Sequence, residues 1–290
     1  MIVAWIFGIY AAIVVLCNLP FMQHKFAHWT AEALENKLHT KVEIGSINVG
    51  FLNNIIINDL YVEDLSHKEM LKVARVSTSI NLFKLISNGK IEISAAQLFG
   101  AKANLYKRTP DDDFNFQFII NAFKSDKAES KPINLQINSL IVRRANINYD
   151  IISAEQTQTF NPNHLKIQDA GFNLSLKSFT QDSLNVVLKR LSAKEANSGL
   201  AIKELALKLV ANKEYARLSN FVISLPNTKL NIDSLNINYP NYTKDKSFSL
   251  DKTEIAAIIN PSDFAFATSS VENIDKKFNL STTLQGNNNT

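Results

Sequence analysis

The chain has 290 residues, is 46% hydrophobic and 20% charged, and carries one Cys, 8 Gly, 7 Pro and a formal net charge of +4. That is enough apolar chain for a sizeable core, which excludes general disorder, while the lone Cys17 excludes an internal disulfide and no Cys/His spacing suits a structural zinc. So few glycines leave no phosphate-cradling loop, which excludes most nucleotide enzymes, and the thin, evenly spread positive charge leaves no footprint for nucleic acid.

Ile2 to Leu19 contains no charged residue, and this length sits at the short end of what spans a hydrocarbon core. Residues 1–19 therefore read as a transmembrane anchor. The apolar run exceeds the h-region of a cleaved signal peptide, and no A-x-A site follows it. Leu16 stands where a lipoprotein cleavage site needs a small residue, so Cys17 reads as an apolar residue of the helix. Lys25 follows the span and no Lys or Arg precedes it. Taken alone, that points the C-terminal side to the cytoplasm, but long following domains translocate largely regardless of such charges.

Residues 20–40 read as a short amphipathic helix. Met22, Phe26, Trp29, Ala33, Leu34 and Leu38 fall along one expected stripe, with Lys25, Glu32, Glu35 and Lys37 off it. His24 and His28 have the i, i+4 spacing of a metal pair but no added carboxylate, and read as a surface pair.

Past Lys41 the apolar period changes to two, and residues 41–290 read as a β-domain. One template, apolar-x-apolar-x-x-apolar-x-apolar, recurs: Val42, Ile44, Ile47, Val49; Ile55, Ile57, Leu60, Val62; Ile91, Ile93, Ala96, Leu98; Leu135, Ile137, Leu140, Val142; Leu165, Ile167, Ala170, Phe172; Leu200, Ile202, Leu205, Leu207; Leu230, Ile232, Leu235, Ile237. The extra residue would turn the second half of a flat strand over, so a bulge or sharp twist must absorb it and keep both halves facing one way. Plainer alternation is expected at Ala74–Leu82, Ala101–Leu105 and Ala145–Tyr149. Turns are punctuated by Asn, Asp and Pro more than by Gly, Asp126 to Ser130 reads as a short linker, and a helix is expected at Asn115–Lys124. Leu200–Ala211 fits strand or helix.

Such a sheet has one apolar and one polar face and few helices to cover the former. Either a second sheet closes over it as a sandwich, or the face stays open to an extended apolar ligand. No catalytic constellation accompanies it. The five histidines are scattered, and H-E-x-x-H, G-x-S-x-G and P-loop patterns are missing. Asp111-Asp112-Asp113 reads as an exposed loop, and Arg143-Arg144 as one residue on the polar face and one near a bend. The chain is expected to be neither an enzyme nor a cofactor binder.

The order of parts resembles the AsmA-like superfamily. The resemblance lies in the apolar helix, Pro20 with Gln23, and Leu38-His39-Thr40-Lys41-Val42-Glu43-Ile44-Gly45 at the first strand. Asn58-Asp59-Leu60-Tyr61-Val62-Glu63-Asp64, Val76-Ser77-Thr78-Ser79-Ile80-Asn81-Leu82, Lys90-Ile91-Glu92-Ile93 with Gln97-Leu98, and Asn115-Phe116 are similar to its TamB-like branch, the inner-membrane subunit of the translocation and assembly module. The likeness runs from Pro20 to about Lys124 and is architectural beyond.

The resemblance implies a mainly β fold: a transmembrane helix and a short amphipathic helix, then an elongated, curved antiparallel β-sheet forming an open apolar groove. It implies a single-pass protein of the bacterial inner membrane with its β-domain in the periplasm, conducting phospholipid acyl chains between inner and outer membranes in support of outer-membrane biogenesis. Groove-lining candidates are Val42, Ile44, Ile91, Ile93, Leu135, Ile137, Ile202, Leu230 and Ile232. Members of the family are longer and meet an Omp85-type outer-membrane barrel through a C-terminal domain, so this chain is expected to be the first part of a longer array. The alternatives are a scaffold for outer-membrane protein assembly or autotransporter secretion and, more weakly, a closed sandwich serving as a binding ectodomain.

Overall fold

The computed structural model describes residues 2–50, 54–80, 93–122, 137–157, 159–179, 182–240 and 246–288. Helices α1 (Ile2–Cys17) and α2 (Pro20–Leu38) come first. Twelve strands follow: β1 (Val42–Val49), β2 (Asn54–Glu63), β3 (Glu69–Ile80), β4 (Ile93–Lys107), β5 (Ile137–Ile151), β6 (His164–Phe179), β7 (Ser183–Glu195), β8 (Ala201–Asn212), β9 (Tyr215–Ser224), β10 (Lys229–Asn238), β11 (Ser249–Ile259) and β12 (Phe278–Asn287). Helix α3 (Gln117–Ala122) lies between β4 and β5, inside the helix expected there. The strands form one open sheet in sequence order, so the protein is mainly β, and Leu200–Ala211 resolves as strand. No second sheet faces it among the described residues.

The expectation of a wholly antiparallel sheet needs one correction. Asn148 donates to Asn104 at 2.8 Å, and the N–H groups of Ile152 and Ser153 donate to the carbonyls of Lys107 and Arg108 at 3.0 and 2.9 Å. Both strands advance together along these contacts, so β4 and β5 run parallel. A parallel pair needs a long crossover, which is where α3 sits. The expected linker at Asp126–Ser130 lies outside the described residues.

The chain divides into two compact units, Met1–Asp126 with Val142–Ala154, and Lys127–Ile141 with Glu155–Thr290. In the first, Pro20 has no N–H to continue α1 and starts α2 at its N1 position. Asn18 Nδ2 pins the break by donating to the carbonyls of Val14 and Val49 at 2.8 and 2.6 Å, and Gln23 Nε2 donates to the Asn18 carbonyl at 2.8 Å. Among the described residues no single helix is long and apolar enough to cross a membrane; the Gly8–Cys17 part of α1 and α2 pass that test only jointly, across a bend of 70°.

Helix α2 buries Ala27, Ala31 and Leu38, with Leu34 packed alongside. This corrects the expected stripe: small alanines face inward, and Trp29 is on the exposed side. Leu38, Val42, Val62 and Met70 form the core, flanked by Leu60, Leu71 and, from the α3 region, Phe116, Phe118 and Ile119. Each such side chain contributes about 1.5–3 kcal/mol on full burial. Beside the core, Asp64 is 1% exposed. Its carboxylate accepts from the N–H groups of Ser66 and Lys68 at 2.8 and 3.1 Å, the Tyr106 hydroxyl at 2.8 Å and Asn115 Nδ2 at 3.4 Å. Burial pushes this carboxyl up, and the four donors, led by the Lys68 N–H, outweigh burial and hold it below its ordinary range.

In the second unit the connection from β11 to β12 is a strap. Buried Asn260 accepts from the Ser262 N–H at 3.1 Å, receives Thr228 Oγ1 on its carbonyl at 3.3 Å and donates to Asp275 at 2.7 Å. Asp263 accepts from the Asn227 N–H at 2.7 Å in the β9–β10 turn. Further along, the Phe266 carbonyl accepts from the Phe160 N–H at 2.9 Å, with the two rings 5.8 Å apart. The strap thus ties β11 to the turn before β10 and to the segment that enters β6. Glu195, the last residue of β7, accepts from the Ser198 hydroxyl and from the N–H groups of Ser198, Lys166 and Asn197. Burial raises its pKa, and these donors together bring it below the ordinary range.

Candidate functional site: an apolar face in register

The repeated phase slip is built into the backbone. In β1 and β2 the pairs Ile44↔Leu60 and Ser46↔Asn58 set Gly45 opposite Asp59; on β3 and β4, Val73↔Ala101 and Arg75↔Phe99 set Ala74 opposite Gly100. Asp59 and Gly100 take left-handed φ values of 54° and 66°. Pairing stays in step through this level, because each strand carries its own extra residue at the same height. The row is tight: a Cβ on Gly45 would lie 3.0 Å from the Asp59 Cβ, and one on Gly100 would lie 3.1 Å from the Ala74 Cβ. On β5, Arg144 has φ 53° and reaches over the Phe99 ring at 5.3 Å, matching the expectation of a bend there. Asp169 in β6 and Asn220 in β9 are likewise left-handed, at 49° and 52°.

The slip therefore falls at Ala74-Arg75 in β3 and Phe99-Gly100 in β4, stretches expected to begin or border plain alternation. Above and below it, apolar side chains line up across the first unit. Val42–Val62–Leu71–Ala103 and Ile44–Leu60–Val73–Ala101 make two rows, and Ile47–Ile57–Val76–Leu98 a third. The opposite side is polar: Asn58 donates to Ser46 and accepts from Arg75, and Lys41 pairs with Glu43 at 2.6 Å.

In the second unit one apolar row runs through seven consecutive strands, Phe172–Leu191–Leu205–Ile223–Leu230–Ala257–Leu280. Beside it, Ile232 pairs with Phe221 and Ile255, and Leu218 with Leu209 and Leu235. Most of these side chains are half-buried, Ile232 being 9% exposed and Leu280 46%. Arg217, Asn236, Lys208 and Lys229 alternate onto the other face, where Arg217 donates to Asn236 at 2.9 Å.

Of the expected lining residues, Leu230 and Ile232 lie together on β10, and Ile202 lies on β8 opposite Ala193. Val42 is packed under α2, and Ile44 is half-buried beside it in β1. Ile93 and Ile137 begin β4 and β5, and Ile91 and Leu135 lie outside the described residues. Leu191, Leu218, Ile223, Ala257 and Leu280 were not singled out from sequence, although Ala216, Leu218, Phe221 and Ile223 follow the same slip template, with left-handed Asn220 at the extra position.

Polar chemistry is sparse elsewhere. A cleft of about 420 Å³ is lined by Asp64, Tyr106, Lys107, Asp112 and Asn115, whose groups bond one another or the local backbone. Among the described residues no group of His, Cys, Asp and Glu is placed to hold a metal ion. No protein-family model, curated protein or solved structure matches the chain.

Proposed function

We propose that the protein is a membrane-anchored conduit for phospholipids, with α1 held in a bilayer and acyl chains moving along the apolar face of the sheet. The seven-strand row in the second unit carries this reading. Six inter-strand steps of about 4.8 Å make a track of about 29 Å, the scale of a lipid tail. Its side chains are in register and half-buried rather than sealed in a core. Each CH₂ moved from water onto it contributes about 0.8 kcal/mol, while headgroups remain in water at the rim. No bond is made or broken, so transport needs no catalytic residue. The resemblance to the AsmA-like superfamily supports placing the anchor in the bacterial inner membrane and the sheet in the periplasm. Photo-crosslinking amino acids at Leu230 and Ile232 should capture phospholipid in cells, and one at Asn231 should not. Capture at Asn231 alone would overturn the proposal.

A second reading rests on β12, the last strand of the sheet, which is exposed along its whole length. Such an edge accepts a strand from a client in an assembly scaffold. Prolines at Ser281 and Thr283 would then abolish client binding, whereas Ile232→Asp would leave it intact.

A further inference from the structure

We infer that α2 is an interfacial helix whose exposed side rests on an anionic phospholipid surface, an inference that depends on the bilayer-anchored reading of α1. Opposite the buried Ala27 and Ala31, α2 presents Phe21, Lys25 and Trp29 at i, i+4 and i+8. Phe21 is 70% exposed and Trp29 53%. Lys25 Nζ lies 5.4 Å from the Phe21 ring centre and 5.2 Å from that of Trp29, so the cation is flanked by two aromatic faces. Large exposed aromatics around a cation are poorly placed in water and well placed at the headgroup level, where rings enter the acyl boundary and the ammonium meets phosphate.

Charge and continuity single out the occupant. From Pro20 to Ala31 the helix carries Lys25, His24 and His28 and no carboxylate. The stripe follows along the chain on the exposed apolar residues Ile9, Ile13 and Leu16 of α1 and Leu19 at the bend. The 70° bend between the helices lets one enter a bilayer while the other lies along its surface. Asn18 and Gln23 fix that bend through their side chains, so the two surfaces are presented together. A helix in this position sinks about 5–10 Å into the headgroup boundary.

The chain has two tryptophans, Trp5 in α1 and Trp29 in α2, which makes the test direct. The full chain carrying Trp5→Phe, reconstituted in phosphatidylcholine vesicles with added phosphatidylglycerol, reports from Trp29 alone; Trp29→Phe reports from Trp5. Bromines high on the acyl chains should quench Trp29 more than bromines near the bilayer centre. That quenching should fall when phosphatidylglycerol is omitted or when Lys25→Glu is added, with helix content unchanged by circular dichroism. Trp29 unquenched, or quenched regardless of lipid charge, while Trp5 is quenched would overturn the inference and leave the anchor standing. Trp5 unquenched by any bromolipid would overturn the anchor itself.

Discussion

Replacing Gly100 by Ala should loosen the pairing of β3 with β4. Gly100 has φ 66°, where an L-residue costs about 1–2 kcal/mol. The new Cβ would also stand 3.1 Å from the Ala74 Cβ, a contact between two backbone-anchored atoms in paired strands that side-chain rotation cannot relieve. Together these give about 2 kcal/mol, a roughly 30-fold rise in the opening of β3 and β4. Hydrogen exchange of the full chain in detergent, followed in peptides covering 71–80 and 95–105, should lose protection by that factor. Adding Ala74→Gly should restore only the part due to crowding. Asp59→Gly provides the converse: it removes strain at φ 54° but adds about 0.4–1 kcal/mol of unfolded-chain freedom, so protection there should change little. Asp59→Val should lose as much as Gly100→Ala. Unchanged protection in Gly100→Ala, or full recovery with Ala74→Gly, would refute the left-handed row as the source of the cost.

Asp64 and Glu195 both have lowered carboxyl pKa values in the fold, so their stabilisation is complete above the ordinary carboxylate range and is lost as pH falls through it toward the lower folded values. Acid unfolding followed by circular dichroism should therefore steepen below about pH 4. Asp64→Asn should cost about 2–4 kcal/mol at neutral pH and flatten the acid limb. Glu195→Gln should expose the turn at residues 196–200 to hydrogen exchange while leaving α2 and β1 protected. Phe266→Ala removes ring contacts with Phe160 and Phe264 and should cost about 1–3 kcal/mol, read as faster proteolysis within residues 260–277.

Period-two alternation and the recurring slip carry the fold in the sequence, because a one-residue insertion that preserves the apolar face has few backbone solutions. Asn58-Asp59 and Gln168-Asp169 were legible as slip sites, since Asp tolerates the left-handed region better than most residues. The template copy in β4 marks the bulge at Ser94, which is skipped between the pairs Ser79↔Ala95 and Ile80↔Ile93. The second slip of β4, at Gly100, and that of β3 were hidden: Ala74 is itself apolar and mimics a continuing alternation. The parallel β4–β5 pair was illegible, because strand direction depends on where a crossover delivers the chain and not on the pattern within either strand. The inward side of α2 was misread because alanine, chosen there for close approach to the sheet, scores below Trp29 on any apolar stripe. Leu230 and Ile232 share one face of the sheet because β10 follows the template without interruption, whereas Leu191 emerges only once partners are paired.

The left-handed row also constrains how such a sequence can change. Losing Asp59 alone would put β2 out of phase with β1 and β3 at once, so a length change at that height survives only if its neighbours alter together. Residues far apart in the chain, Gly45, Asp59, Ala74 and Gly100, thus share one fate. Away from that height the strands do absorb single-residue bulges, as β4 does at Ser94. The shared constraint therefore belongs to the row itself, and a new strand can join there only if it arrives with the same notch already cut.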